Sequence, residues 1–384
     1  MLKRFEVSNF RNFRSKLILD LTDVAGYQFN SECISAGYLG KILIYGRNAT
    51  GKTNLGSAIS NIGSMLYTRP PFDDRYFINV DTDEKIATFF YSFQFDNDEI
   101  EYYYEKTSAI VTIKERLTIN RRVIFDIDYN DQNNATINLG SINAETLNYQ
   151  RYIDALSSDE TEESTPEAQP SFLRWLIANA AFPADSPLMR LYYFVRRMRF
   201  ISGPNTNRYG RAFLDSFYEN LSSGDNLLDF ESFLNIMGIP CKLRIERLPD
   251  DRFELYFDHG QKKVPFRETA SSGTLGLMDV YRRIILSQGI TPTFLYLDEF
   301  DAFYHYEMAE KVVEYFKQAM PHCQVILTTH NTNLMSNHIM RPDCLLILSS
   351  QGKLTSLMNA TPRELREGHN LEKMYISGEF KLYE

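Results

Sequence analysis

Ile42-Leu43-Ile44-Tyr45-Gly46-Arg47-Asn48-Ala49-Thr50-Gly51-Lys52-Thr53 carries the strongest signal in this chain. Its opening run is apolar or aromatic and predicts a buried strand. The remainder fits G-x-x-x-x-G-K-T, and residues 54–66 then predict a helix. Strand, glycine loop and helix in that order make a phosphate-binding loop. The glycines let successive N–H groups turn toward one point, and the helix adds its positive N-terminal end. In such a loop Gly46, Arg47, Asn48, Ala49, Thr50 and Gly51 surround the phosphates while Asn54 begins the helix. Lys52 reaches the β- and γ-phosphates, and the Thr53 hydroxyl takes a place on Mg²⁺. The ligand this predicts is a nucleoside triphosphate.

A chain of 384 residues with 43% hydrophobic and 14% aromatic residues can bury a large core, which excludes a disordered polymer. The formal net charge of −9 argues against a basic surface spread over the whole protein, though a local basic patch stays open. Cys33, Cys241, Cys323 and Cys344 lie far apart without C-x-x-C spacing, so neither a disulfide framework nor a zinc site is expected. The start lacks the apolar run of a signal peptide, and no segment has 18 continuous apolar residues. A soluble, cytosolic protein is the expectation.

Short strands are predicted at residues 2–7 and 16–20, with Arg11 and Arg14 in a solvated basic turn between them. Residues 86–95 and 99–106 flank Asp96-Asn97-Asp98 as a hairpin, and 109–120, 122–128 and 135–139 continue an antiparallel sheet. The acidic, polar run 157–166 reads as a mobile loop. Helices are predicted at 172–181, 187–200, 211–221 and 227–237. Arg190, Arg196, Arg197 and Arg199 interleave with Tyr192, Tyr193 and Phe194, which fits either a nucleic-acid contact or a plain amphipathic helix. The expected divisions are an N-terminal lobe (1–144) with the phosphate loop and the antiparallel sheet, a helical insertion (145–240), and a C-terminal lobe (241–384).

The C-terminal lobe carries a second set of polar residues at strand ends. Thr293-Phe294-Leu295-Tyr296-Leu297 runs into Asp298-Glu299. An Asp there can hold Mg²⁺, and the carboxylate after it can accept a proton from attacking water. Residues 324–328 repeat the apolar pattern ahead of Thr329-His330-Asn331, which puts His330 within reach of a γ-phosphate. Ser271-Ser272-Gly273-Thr274 opens another helix, with Ser272 and Gly273 at its anion-attracting end. One chain has little use for two such helix ends on one triphosphate. A second copy would bring this end to the first copy's γ-phosphate.

Taken together, the loop at 46–53, Ser272-Gly273, Asp298-Glu299 and His330 follow the chain order of ABC-type ATPases, which this sequence resembles. Phe5-Glu6-Val7-Ser8-Asn9-Phe10-Arg11 is similar to the opening strand of the SMC and RecF branch. Ser-Ser-Gly-Thr in the signature, His305, Arg341-Pro342-Asp343 and the ending 370–378 resemble AAA-type ATPases of bacterial anti-phage and abortive-infection systems. The resemblance covers residues 1–70 and 265–384. It implies an α/β P-loop head with a mixed sheet, an antiparallel β lobe and a helical insertion, and it implies ATP and Mg²⁺ as ligands. Thr53 and Asp298 would hold the metal, Glu299 would polarise the lytic water, and His330 would sense the γ-phosphate. Ser272 and Gly273 would act across a dimer or higher oligomer, and Asp301 would lie in the loop joining the two sites. Gln94 is the candidate for the family's glutamine loop.

The sequence has no coiled-coil heptads, unlike the SMC branch, and after the ATPase no room for the Toprim nuclease domain of OLD-type defence proteins. The resemblance therefore implies the ATPase half of a defence module whose effector, a Toprim-like nuclease or another toxin, is a separate polypeptide. Two other functions stay open: a RecF-like DNA-repair ATPase that clamps duplex DNA through residues 190–199, and a scaffold for which ATP is structural.

Overall fold

The computed structural model describes residues 1–67, 76–131, 135–157, 170–202, 211–284 and 291–384. Lys41–Tyr45 (β1) is buried at every position, as expected of an inner strand covered on both faces. With it, in chain order, Met198–Ser202 (β2), Phe294–Asp298 (β3), Gln324–Thr329 (β4), Leu345–Leu348 (β5) and Leu354–Ser356 (β6) build a six-stranded sheet. The spatial order is β2-β3-β4-β1-β5-β6. All neighbours are parallel except β5 and β6. β4 therefore separates the phosphate-loop strand from the strand ending in Asp298. Its register aligns Thr329 with Tyr45 and Leu327 with Leu297, so the carboxyl ends of β1, β3 and β4 form one edge, where open α/β sheets bind ligands.

A seven-stranded antiparallel sheet stands beside this one. It runs through Thr136–Ile137, Arg122–Asp128, Thr112–Ile119, Asp98–Lys106, Ala87–Phe95, Leu2–Ser8 and Leu17–Asp20. The N-terminal strands thus belong to the same antiparallel sheet as the strands predicted over 86–139. The buried Gln324 side chain fastens the sheets together: its amide donates to the Leu2 carbonyl and its oxygen accepts the Leu2 N–H, both at 2.8 Å.

The predicted helix 54–66 is two pieces, Lys52–Ser60 (α1) and Ile62–Leu66. Tyrosines fix α1 from both sides. Tyr296 Oη donates to the Lys52 carbonyl at 2.6 Å, and Tyr91 Oη donates to the Ala58 carbonyl at 2.8 Å. A side chain at Gly56 would have its Cβ 2.4 Å from the Phe200 ring and 2.7 Å from the Tyr296 ring, so glycine permits the close approach of α1 to β2 and β3.

The expected helix 187–200 ends at Arg196, and Met198–Ser202 is a strand. Local apolar spacing favoured helix. The open edge of β3 offers residues 198–202 a full parallel ladder instead, and tertiary pairing overrides local preference. The segment 145–240 therefore supplies an edge strand to the central sheet as well as its helices, Gln150–Ser157, Phe172–Asn179, Pro187–Arg196, Arg211–Leu221 and Asn226–Ile236. The acidic run expected to be a loop, 157–166, lies beyond Ser157 outside the described residues. Glu115 anchors this segment to the antiparallel sheet. Fully buried, it accepts from Tyr102 Oη (2.8 Å), Tyr129 Oη (2.6 Å) and the N–H groups of Phe172 (2.9 Å) and Leu173 (3.0 Å) at a helix start.

Leu243–Arg247, Phe253–Asp258 and Lys263–Pro265 form an antiparallel meander ahead of Ser272–Ile284 (α2). The four cysteines are free thiols. Among the described residues no helix is long and apolar enough to cross a membrane.

Candidate functional site

The chain leaves β1 at Tyr45 and turns through the glycine loop into α1. Gly51 takes φ +101° and a Cβ there would fall 2.2 Å from the Asn12 side chain, so both its backbone and its surroundings require glycine. Ala49 also adopts a positive φ of 65°. Lys52 Nζ curls over the loop to donate to the carbonyls of Gly46 (2.7 Å) and Arg47 (3.1 Å). Burial pulls its pKa down, against the opposing pull of Asp298, Glu299 and Asp301.

Asp298 ends β3 and is itself buried. Its Oδ2 accepts from Thr53 Oγ1 at 2.5 Å and its Oδ1 from Thr328 Oγ1 at 2.7 Å. The pair expected to hold Mg²⁺ is therefore in direct contact. A carboxylate and a hydroxyl are the hard oxygen donors that ion takes, usually beside phosphate oxygens and water, so the residues present fit it. Glu299 follows with φ 47° and an exposed side chain, its N–H held by Thr328 Oγ1 at 2.8 Å.

His330 lies just beyond β4 and bridges the two halves. Its Nδ1 is 3.4 Å from Lys52 Nζ and its Nε2 is 3.4 Å from Glu299 Oε1. Asp301 accepts from Thr329 Oγ1 at 2.6 Å, and burial raises its pKa.

Ser272 and Gly273 sit elsewhere. They open α2, where Ser271 Oγ accepts the Thr274 N–H at 3.1 Å. Ser272 is exposed, and the α-carbon of Gly273 faces the Phe303 carbonyl. Among the described residues no hydrogen bond joins Ser272 or Gly273 to residues 46–54. Gln94 is tied into its hairpin, with its amide donating to the Asp96 carbonyl at 2.7 Å and its backbone N–H to Met1. It is not among the residues gathered around Lys52.

Sequence reasoning passed over some residues that touch the loop. Asn12 Nδ2 donates to the Thr50 carbonyl at 3.0 Å and its Oδ1 accepts from Asn54 at 2.6 Å. Arg11, read as solvated, donates to Asn54 Oδ1 at 3.1 Å. Both border a cavity of about 470 Å³ with Asn54, Tyr76 and Asn79. The signal available was Asn9-Phe10-Arg11-Asn12, polar residues in a tight turn where Asn9 and Arg11 have positive φ. Thr328 was read as the end of an apolar strand, although its hydroxyl holds both Asp298 and Glu299. Two arginines of residues 190–199 have partners within the protein: Arg190 pairs with Asp96 at 2.5 Å, and Arg199 donates to the carbonyls of Arg196 and Met198, while Arg196 and Arg197 are exposed. Arg341 and Asp343 form a buried two-point ion pair at 2.8 and 2.7 Å that also grips the backbone of Ala25, a structural role.

Residues 42–336 match the family model described as "AAA domain, putative AbiEii toxin, Type IV TA system". The chain belongs to this family. As an AAA domain it is a nucleotide-binding ATPase module. Similar solved structures include an SMC head bound to the C-winged-helix domain of ScpA, with 14% identity, 93% of this chain and 97% of that chain covered, and a TM-score of 0.45. The SMC head domain from Thermotoga maritima has 13% identity, 92% and 98% coverage and a TM-score of 0.45. A head with an extended coiled coil, bound to the C-terminal domain of ScpA derived from Pyrococcus furiosus, has 12% identity, 99% coverage of each chain and a TM-score of 0.45. No curated protein matched the chain.

Proposed function

We propose that this AAA domain is a Mg²⁺-dependent ATP hydrolase whose sites are completed between copies of the chain, and that its assembly controls a separate effector in a bacterial anti-phage system. The observation that carries this reading is a split. Lys52, Thr53, Asp298, Glu299 and His330 converge in one chain, whereas the start of α2, with Ser272 exposed and Gly273 buried, makes no hydrogen bond to them. A second copy would present that helix end to the γ-phosphate, in a two-fold pair or a ring of such contacts.

Lys52 would exchange its carbonyl partners for β- and γ-phosphate oxygens. Thr53 and Asp298 would hold Mg²⁺, which when bound supplies positive charge against the phosphate oxygens. Glu299 would accept the proton of the attacking water, and His330 between Glu299 and Lys52 would register whether the γ-phosphate is present. Arg11, Asn12 and Asn54 would border the nucleoside end in their cavity. The family description, a putative AbiEii toxin of a type IV toxin–antitoxin system, supports action alongside a second polypeptide. The DNA-clamp reading is disfavoured by the net charge of −9 and by the partners of Arg190 and Arg199.

Glu299→Gln tests the assignment. Turnover should fall by about 10²–10⁴ because only the proton acceptor is lost, while ATP binding persists and the mass measured by light scattering rises with ATP. Unchanged turnover removes Glu299 from the mechanism. A mass indifferent to ATP removes the composite site.

A further inference from the structure

Residues 371–384 fold back onto the phosphate loop. The Glu384 carboxylate pairs with Arg47 Nη2, the residue after Gly46. The Glu384 side chain is only 13% exposed, against 73% for Arg47, so the carboxylate is built into the protein and the arginine reaches over to it. Other contacts set it in place. The Glu384 carbonyl accepts the Ser350 N–H at 3.2 Å, and Phe380 is fully buried. The same segment reaches the other flank of the site, where Leu371–Ile376 packs against Thr332–Leu334, the turn directly after His330. One stretch of chain thus touches both elements that would face a γ-phosphate.

A carboxylate held on an arginine of an anion-binding loop offers the same acceptor oxygens as a phosphate. We propose that Glu384 competes with the nucleotide's phosphates for Arg47, so that filling the loop removes one of the contacts holding residues 371–384 and makes their protection a readout of nucleotide state. This rests on the ATPase reading. Ile376 and Leu382, at 70% and 95% exposure, lie on the segment that loses this contact.

The test is hydrogen exchange by mass spectrometry on the full chain and on Glu384→Gln, with and without a non-hydrolysable ATP analogue and Mg²⁺, alongside calorimetric titration of that analogue. In the wild type, exchange across 371–384 should rise on analogue binding. In Glu384→Gln it should be raised beforehand, and the analogue should bind about two- to fivefold more tightly, the range expected from releasing one partly exposed ion pair. The gain should shrink as salt increases. Wild type that binds the analogue with no change across 371–384, or a variant with unaltered affinity, overturns the competition. Wild type that binds no analogue overturns the ATPase reading, and the competition with it.

Discussion

Replacing Thr328 by valine keeps the shape of a fully buried side chain and deletes one hydroxyl. That hydroxyl donates to Asp298 Oδ1 at 2.7 Å and accepts the Glu299 N–H at 2.8 Å. A hydrogen bond to a carboxylate contributes about 1.5–3 kcal/mol, and leaving a backbone N–H without a partner costs about 1–3 kcal/mol. Burying a methyl group in place of the hydroxyl returns roughly 1 kcal/mol. The net expectation is a loss of about 1.5–5 kcal/mol, read as the difference in unfolding free energy by urea denaturation. The functional effect should be larger than this loss implies. Glu299 holds a left-handed backbone, φ 47°, that a residue with a side chain adopts only when its surroundings enforce it. Without the Thr328 tether its carboxylate shifts, and a displacement of about 1 Å lowers turnover on the order of 10²-fold. Stability within about 0.5 kcal/mol of wild type, together with turnover unchanged, would refute the claim that Thr328 positions both carboxylates.

Gly56→Ala should destabilise the protein by about 1–3 kcal/mol through overpacking, because its Cβ would lie 2.4 Å from the Phe200 ring; a wild-type urea midpoint would show that β2 does not pack as described. Glu115→Gln puts an amide donor against groups that already donate, and a loss of about 2–3 kcal/mol is expected in the same assay. Burial raises the Glu115 carboxyl pKa in the fold, so the native state holds that proton more tightly than the unfolded chain. This contribution is full below the ordinary glutamate range and is lost as pH rises through the raised value. Glu115→Gln should therefore lack that part of the decline in stability with rising pH, and parallel pH profiles for variant and wild type would count against it.

What the sequence made legible was local. The phosphate loop is contiguous, and Gly51 answers to a left-handed backbone with no room for a side chain, so β1 and Lys52 could be placed from the residues alone. Asp298, Glu299 and His330 were legible as polar residues ending apolar strands. Their mutual contact depends on β4 lying between β1 and β3, an order that no local pattern encodes. Met198–Ser202 was missed for a related reason, since its strand character comes from the open edge of β3 and not from its own spacing. Arg11 reads as solvent-facing and Asn12 carries no signal of its own, because a short turn does not announce what folds against it. Ser272 is a further case, in which the motif is visible and its own chain supplies no ligand contact to interpret.

The tyrosine bonds at either end of α1 have a mechanical consequence. Tyr296 grips its first residue from the central sheet and Tyr91 its last turn from the antiparallel sheet, so the helix behaves as a short rod pinned at both tips. A tilt begun where the triphosphate docks would not dissipate in side-chain rearrangement. It would be passed to Ala87–Phe95, the inner strand of the antiparallel sheet that carries Tyr91, so a disturbance at the triphosphate end is felt in a second sheet.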